Sequence, residues 1–269
     1  MTRFDAIIIG AGQAGPPLAG RLAGAGMSVA FVERGLFGGT CVNTGCMPTK
    51  TLVASALAAH VARRAAEYGV SVGGAIGVDM ARAKARADAV VTNARGYIVV
   101  DDGLATSVPG IWALGDCNGR GAFTHTAYNN FEIVAANLLD GERRRVSDRV
   151  PAYALYIDPP LGRVGMTESQ ARASGRPLLV GTRPMTRVGR AVEKGDTQGF
   201  MKVIADAETR RILGASILGT GGDEAIHGVI DVMNAGVSYD VLERSVPIHP
   251  TVSELIPTML SEMRPAGRP

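Results

Sequence analysis

The first hydrophobic pattern along the chain is short and unbroken. Asp5-Ala6-Ile7-Ile8-Ile9 is a strand-length apolar run without polar alternation, the pattern of a strand buried on both faces, and it opens directly into glycines. A helical stretch follows, with Pro16 and Pro17 in its first turn, where a missing N–H costs little. Val29 to Val32 reads as a second buried strand. The apolar run from Leu52 to Val61 predicts a helix, as does Asp79 to Thr92, which passes almost directly into a strand-like Tyr97 to Val100. Thr106 to Asp116 reads as a turn, a buried strand and a Gly-Asp at the strand's carboxyl end.

Beyond Val150-Pro151 the pattern changes. Strands are predicted at Ala152 to Ile157, Leu178 to Pro184, Met201 to Ile204 and Ile212 to Leu218, and helices at Glu168 to Ser174, Asp223 to Ala235 and Thr251 to Met263. In the middle helix Ile226, Val229, Ile230 and Met233 recur at the spacing of one buried face. Asp206-Ala207-Glu208-Thr209 is a plausible hairpin link. The whole predicts an α/β chain in two domains: a Rossmann-like βαβ domain over residues 1–149, then an α+β domain over 150–269.

Composition narrows the function classes. With 46% hydrophobic and 20% charged residues the chain is that of a globular protein, and its 35 glycines suit a backbone that approaches a ligand closely. A net charge of +3, with Arg143-Arg144-Arg145 as the only basic run, argues against nucleic acid as a main partner. No apolar run reaches about 18 residues and the N-terminal apolar segment is strand-length, so neither a membrane span nor a signal peptide is expected and the cytoplasm is the default. A small-molecule substrate is the expected partner.

Gly10-Ala11-Gly12-Gln13-Ala14-Gly15 is a G-x-G-x-x-G turn placed between strand and helix. Its first glycine permits the tight turn, its second lets the backbone approach a pyrophosphate, and its third lets helix and strand pack closely. The next strand ends in Glu33, 23 residues after Gly10, where a carboxylate suits a ribose hydroxyl pair and repels a 2′-phosphate. This unit alone serves FAD and NAD equally. Gly115-Asp116 stands where open α/β sheets bind ligands, though an Asp in that place is also a common helix cap.

Cys41 and Cys46 lie five apart, after Gly38-Gly39-Thr40 and before the predicted helix, in a loop entering a helix N-terminus. Unpaired N–H groups and the positive end of a helix favour a thiolate there, the species that attacks disulfides. A structural disulfide or half a zinc site is the alternative. Zinc needs about four ligands, and the third cysteine, Cys117, has no partner nearby in the sequence, so no metal site is expected. In a reducing cytosol a close pair favours a catalytic disulfide.

With Gly10 to Gly15, the segment from Gly39-Thr40-Cys41 through Cys46, Pro48 and Lys50, the Thr106 to Asp116 segment, and His249-Pro250-Thr251 with Glu254, the chain resembles the pyridine nucleotide-disulfide oxidoreductase family. The likeness is closest to its mercuric reductase and dihydrolipoamide dehydrogenase branch. It implies FAD in the first domain, bound by Gly10, Gly12, Gly15, Glu33, Gly39, Thr40, Lys50, Gly115 and Asp116, the last on the ribityl chain. It implies that Cys46 lies against the flavin and that Cys41 exchanges with substrate. Lys50 is implied beside the flavin N5, with an ordinary helix lysine as the alternative. His249, held by Glu254, is implied as acid/base in a homodimer built by the second domain, reaching the partner's site; a satisfied surface histidine is the alternative. An imidazole with a pKa near 6.5 can exchange a thiol proton at neutral pH.

One departure from the resemblance is an absence. Family members carry a second G-x-G-x-x-G unit, for NADH or NADPH, between the cysteine helix and the Thr106 segment, and here no such domain fits before the join near residues 92–96. Rapid flavin reduction by NAD(P)H is therefore expected to be lost or severely impaired. The tail after His249 contains no cysteine, unlike mercuric reductases, so mercury reduction is not expected. A dithiol, a disulfide, a quinone or a metal ion all remain open as substrate. The alternative class is a trimmed, non-catalytic dimeric scaffold that at most binds FAD.

Overall fold

The structure is a computed structural model and describes residues 3–43, 45–88 and 98–267, the side chains of 46–48 and 85–88 excepted. The join expected near 92–96 therefore lies outside the described residues. The chain divides into two compact units, Met1–Arg149 and Val150–Pro269.

In the first unit β1 (Ala6–Ile9), α1 (Gly15–Gly24) and β2 (Val29–Val32) form a βαβ motif. The strands pair in parallel with Ala6 opposite Val29 and Ile9 opposite Val32. Two short helices' worth of cysteine motif follow as α2 (Gly39–Asn43) and the start of α3 (Cys46–Arg63), and then α4 (Met80–Asp88). After a loop stretch comes α5 (Thr124–Leu139). Leu18 and Leu22 of α1 pack with Ile133 and Val134 of α5, Val100, Leu104 and Ala113 into one core.

Three expectations are corrected here. Ile98 to Val100 carries no strand, and Tyr97 lies outside the described residues. The segment 106–116 forms no strand either, only a bridge between Ala105 and Trp112. Its backbone is satisfied locally instead: Ala113 N–H donates to Leu104 O, and Asn118 Nδ2 donates to Ala113 O. And Cys41 sits inside the separate short helix α2 rather than in a loop leading to α3.

The second unit is a six-stranded sheet with helices. Its strands are β3 (Ala152–Leu155), β4 (Leu161–Gly165), β5 (Leu178–Pro184), β6 (Phe200–Asp206), β7 (Ile212–Leu218) and β8 (Arg264–Pro265), in the order β3-β4-β7-β6-β5-β8 and antiparallel throughout. The hairpin β6–β7 turns where the Asp206 carboxylate accepts from the Glu208 and Thr209 amides. Helices α6 (Glu168–Ala173), α7 (Gly189–Glu193), α8 (Gly222–Ala225), α9 (His227–Asn234), α10 (Asp240–Glu243) and α11 (Ile256–Ser261) complete it. The helix expected over Asp223 to Ala235 is thus two helices meeting at Ile226. The one expected over Thr251 to Met263 is a 3₁₀ turn, Ser253–Leu255, followed by α11. Val164, Met201, Val203, Ile217, Val229, Ile256 and Met259 form a continuous core.

Candidate functional site

The glycine turn has the geometry its spacing requires. Gly10 has φ +101°, a conformation L side chains rarely adopt. A side chain at Gly15 would overlap Gly10 O, so only glycine lets α1 start so close to β1. At Gly10 and Gly12 the reverse holds: a Cβ there would meet no heavy atom within 4 Å, leaving the turn open on that side. The cysteine motif is fastened to this turn. A Cβ on Gly39, which has φ +61°, would come within 2.7 Å of the Gly12 Cα. Gly38 N–H donates to Ala11 O at 2.8 Å, and Gln13 Nε2 to Gly38 O at 3.0 Å. The start of α2 is therefore held against the middle glycine of the turn.

Glu33 caps the arrangement. Its carboxylate accepts from Ala11 N at 2.6 Å and from Gly35 N at 2.8 Å, and these amides hold its pKa below the usual carboxylate range. It is ionised at neutral pH and keeps acceptor capacity beyond those two bonds. An open glycine turn beside an anionic acceptor fits the pyrophosphate and adenosine ribose of FAD.

Cys41 is half-buried, and its Sγ lies 2.6 Å from Thr124 Oγ1 at the first position of α5. Thr40 is exposed, and its carbonyl accepts from Gly45 N at 2.6 Å. Cys46 opens α3, an 18-residue helix, but its side chain lies outside the described residues. Lys50 is half-buried within the first two turns of α3. Gly115 has φ +81° and donates its N–H to Asn130 Oδ1 at 2.9 Å. Asp116 opens a 3₁₀ turn over Asp116–Asn118, and crowding by neighbouring atoms pushes its carboxyl up from the usual range. Burial likewise raises the Cys117 thiol, whose Sγ donates to Leu114 O. That environment suits a protonated, unreactive thiol.

In the second unit His249 Nδ1 lies 2.8 Å from Glu254 Oε2, with the imidazole 82% exposed and the carboxylate 14% exposed. The structure so brings His249 and Glu254 together. A carboxylate on one ring nitrogen orients the imidazole and selects its tautomer. A shallow groove of about 390 Å³ bordered by Tyr153, Arg163, Phe200 and Lys202 also lies in this unit, and no residue with expected chemistry lines it. Among the described residues no cluster of side chains could hold a metal ion. Nor is any helix among them long and apolar enough to cross a membrane.

Four polar residues escaped sequence reasoning. Buried Asn43 donates to the carbonyls of Leu36, Phe37 and Gly39, shaping the loop before α2. Asn118 and Asn130 are hydrogen-bonded to each other at 2.8 Å and hold Gly115. Thr124 meets Cys41. The one signal for Asn43 was its place between the two cysteines; the others stand in segments without a motif.

The chain belongs to the pyridine nucleotide-disulfide oxidoreductase family. Residues 4–74 and 69–130 match the family's pyridine nucleotide-disulphide oxidoreductase profile in two pieces, and 151–260 match its dimerisation domain. The fold is accordingly a FAD-binding domain followed by a dimerisation domain, and FAD is the cofactor of this family.

Among curated relatives, the chain is 42% identical over 174 residues to the probable pyridine nucleotide-disulfide oxidoreductase RclA of Escherichia coli, covering 64% of this chain and 39% of that one. It is 33% identical over 162 residues to a dihydrolipoyl dehydrogenase of Cupriavidus necator, covering 60% and 34%. With a mercuric reductase of Streptomyces lividans it shares 32% over 167 residues, covering 62% and 35%. The matches thus span little more than a third of the relatives' lengths. Among solved structures, the Cu(II) complex of the HOCl-induced flavoprotein disulfide reductase RclA from Escherichia coli superposes with a TM-score of 0.78 at 25% identity, over 97% of this chain and 99% of that one. The two profile pieces overlap at residues 69–74.

Proposed function

We propose that this chain is a FAD-dependent disulfide oxidoreductase-type flavoprotein that moves electrons between flavin, the Cys41/Cys46 pair and a dithiol, disulfide or metal-ion substrate. The observation that carries the reading is the fastening of the cysteine helix to the glycine turn, Gly39 against Gly12. That contact ties the redox motif to the place where a dinucleotide pyrophosphate fits.

Gly10, Gly12, Gly15, Gly39 and Thr40 would hold the pyrophosphate, Glu33 the adenosine ribose, and Gly115 with Asp116 the ribityl chain, with Lys50 beside the ring. Bound FAD supplies a two-electron carrier. The chain's own residues perform the thiol chemistry. A substrate thiolate attacks the Cys41 sulfur of the Cys41–Cys46 disulfide, forming a mixed disulfide and releasing Cys46 as thiolate. The second substrate thiol then displaces Cys41, so that substrate leaves oxidised and both cysteines are reduced. His249, oriented by Glu254, takes and returns the proton of the exchanging thiol. The second unit makes the homodimer in which His249 serves the partner copy's cysteines. The reducing cytosol suits such a pair. NAD(P)H is a poor reductant for this chain, which has no second nucleotide-binding unit in its sequence.

The visible spectrum of the purified protein tests this, with dithiothreitol and then NADPH added in turn. A flavin band that changes with the dithiol and not with NADPH agrees with the reading, and rapid bleaching by NADPH contradicts it. Sedimentation showing only monomer at micromolar concentration removes the shared-histidine step. A second reading, a trimmed dimeric scaffold, draws on the exposure of Ile7 and Ile9 in the parallel sheet, 63% and 83%. Colourless protein that takes up no added FAD would favour it.

A further inference from the structure

We infer that Thr124 is a positioning residue for Cys41: its hydroxyl donates a hydrogen bond to the Cys41 thiolate and keeps that sulfur ionised for exchange. The inference deepens the proposed reading, in which Cys41 is the sulfur that meets substrate.

Thr124 Oγ1 lies 2.6 Å from Cys41 Sγ, and both residues are half-buried, so water competes weakly for either atom. The two are 83 positions apart, and the contact is made by the tertiary fold rather than by a local turn. A threonine hydroxyl can donate or accept. Facing a thiol it can accept from S–H, but facing a thiolate only donation remains, and a bond to the charged form favours that form. Position adds to this. Thr124 is the first residue of a 16-residue helix, whose positive end therefore lies at the same sulfur. The helix start is held in place by Thr126, whose Oγ1 accepts from Phe123 N and donates to Phe123 O.

The titratable and charged groups on the two helices are Cys46, Lys50, His60 and Arg63 of α3 and His125, Tyr128 and Glu132 of α5, with Glu33 at the glycine turn. A change at Thr124 leaves all of them in the chain, so a comparison of variants isolates the hydroxyl. On ionisation the Cys41 proton passes to solvent, and no electron moves.

The test is a pulse of iodoacetamide on the reduced full chain at a series of pH values, with peptide mass spectrometry reading Cys41, Cys46 and Cys117 separately. Wild type, Thr124→Val, Thr124→Ala and Thr124→Ser are compared by the pH midpoint of Cys41 alkylation, since the midpoint is independent of the lower intrinsic reactivity of a more acidic thiol. Thr124→Val and Thr124→Ala should raise the midpoint, leaving about fivefold less thiolate below it, the worth of roughly one hydrogen bond. Thr124→Ser should stay within about twofold of wild type, because it keeps the donor. Cys117 should be unmoved and serves as the internal check on folding. An unchanged or lowered midpoint in Thr124→Ala, or a Thr124→Ser shift as large as that of Thr124→Val, overturns the inference. The readout needs no flavin. A chain that takes up no added FAD yet shows a shifted midpoint defeats the proposed function and leaves Thr124 standing, whereas a dithiol-responsive flavin with an unshifted midpoint does the opposite.

Discussion

The two units bury their sheets to very different extents. In the second, Val164 of β4, Met201 and Val203 of β6 and Ile217 of β7 pack with Val229 of α9 and with Ile256 and Met259 of α11 into one core, and Met201, Val203 and Ile217 are at most 2% exposed. In the first, the parallel sheet among the described residues has two strands, and alternate residues Ile7 and Ile9 of β1 face outward. Parallel strands are ordinarily covered on both faces. The core of that unit instead forms on the other face, where α1 meets α5. The contrast sets a second unit with a closed core beside a first unit that keeps its glycine turn while its parallel sheet, among the described residues, has two strands.

Four changes would sharpen or break this contrast. Ile217→Ala, in the complete core, should cost about 3 kcal/mol, read as a lower denaturant midpoint for the second unit; a loss below about 1 kcal/mol would mean that its core is loose. Asn43→Ala strips donors from three carbonyls in the loop beside the glycine turn. It should destabilise the first unit by about 1–2 kcal/mol and weaken FAD uptake in a fluorescence titration, with the second unit's transition unmoved. Ile9→Asp should change stability by no more than about 0.5 kcal/mol, since the side chain already faces water. A loss of several kcal/mol would show that β1 is covered.

The smallest effect concerns acid. Glu33 has a depressed folded pKa, so its contribution is fully present above the ordinary value of 4.5 and is lost as pH falls through the folded value. Below pH 4.5 the thermal midpoint of the first unit should fall more steeply in wild type than in Glu33→Gln, measured by near-ultraviolet dichroism. Equal slopes would mean that the bonds to Ala11 and Gly35 do not hold in solution.

How far the sequence could be read follows the same divide. Period and turn chemistry sufficed where an element is held by its own neighbours: β5 and β7 have the bounds their apolar runs announce, and the hairpin at Asp206 turns on its Asx bonds. β4 escaped because Leu161-Gly162-Arg163-Val164-Gly165 carries two glycines. They are needed there, since a side chain on Gly162 would overlap Gly222 O at the start of α8. The strand read within Thr106 to Asp116 is apolar enough to form, but a strand needs partners, and here the Ala113 N–H donates to Leu104 O while the Ala113 carbonyl accepts from Asn118 Nδ2. At the site, the shape of the glycine turn was legible because local geometry demands glycine at Gly10 and Gly15. Thr124 was not, because its partner Cys41 lies 83 positions away; nor were Asn118 and Asn130, whose partners lie 5 to 15 positions off in a segment without a periodic pattern.

The central claim is that the glycine turn and the cysteine pair form one working redox centre. An anaerobic dithiothreitol titration of the FAD-reconstituted full chain, followed in the visible flavin band beside Cys46→Ser, tests it most directly. The account predicts that the dithiol changes the band in wild type and that Cys46→Ser abolishes the change. A chain that leaves FAD unbound, or a flavin signal that survives Cys46→Ser intact, would contradict it.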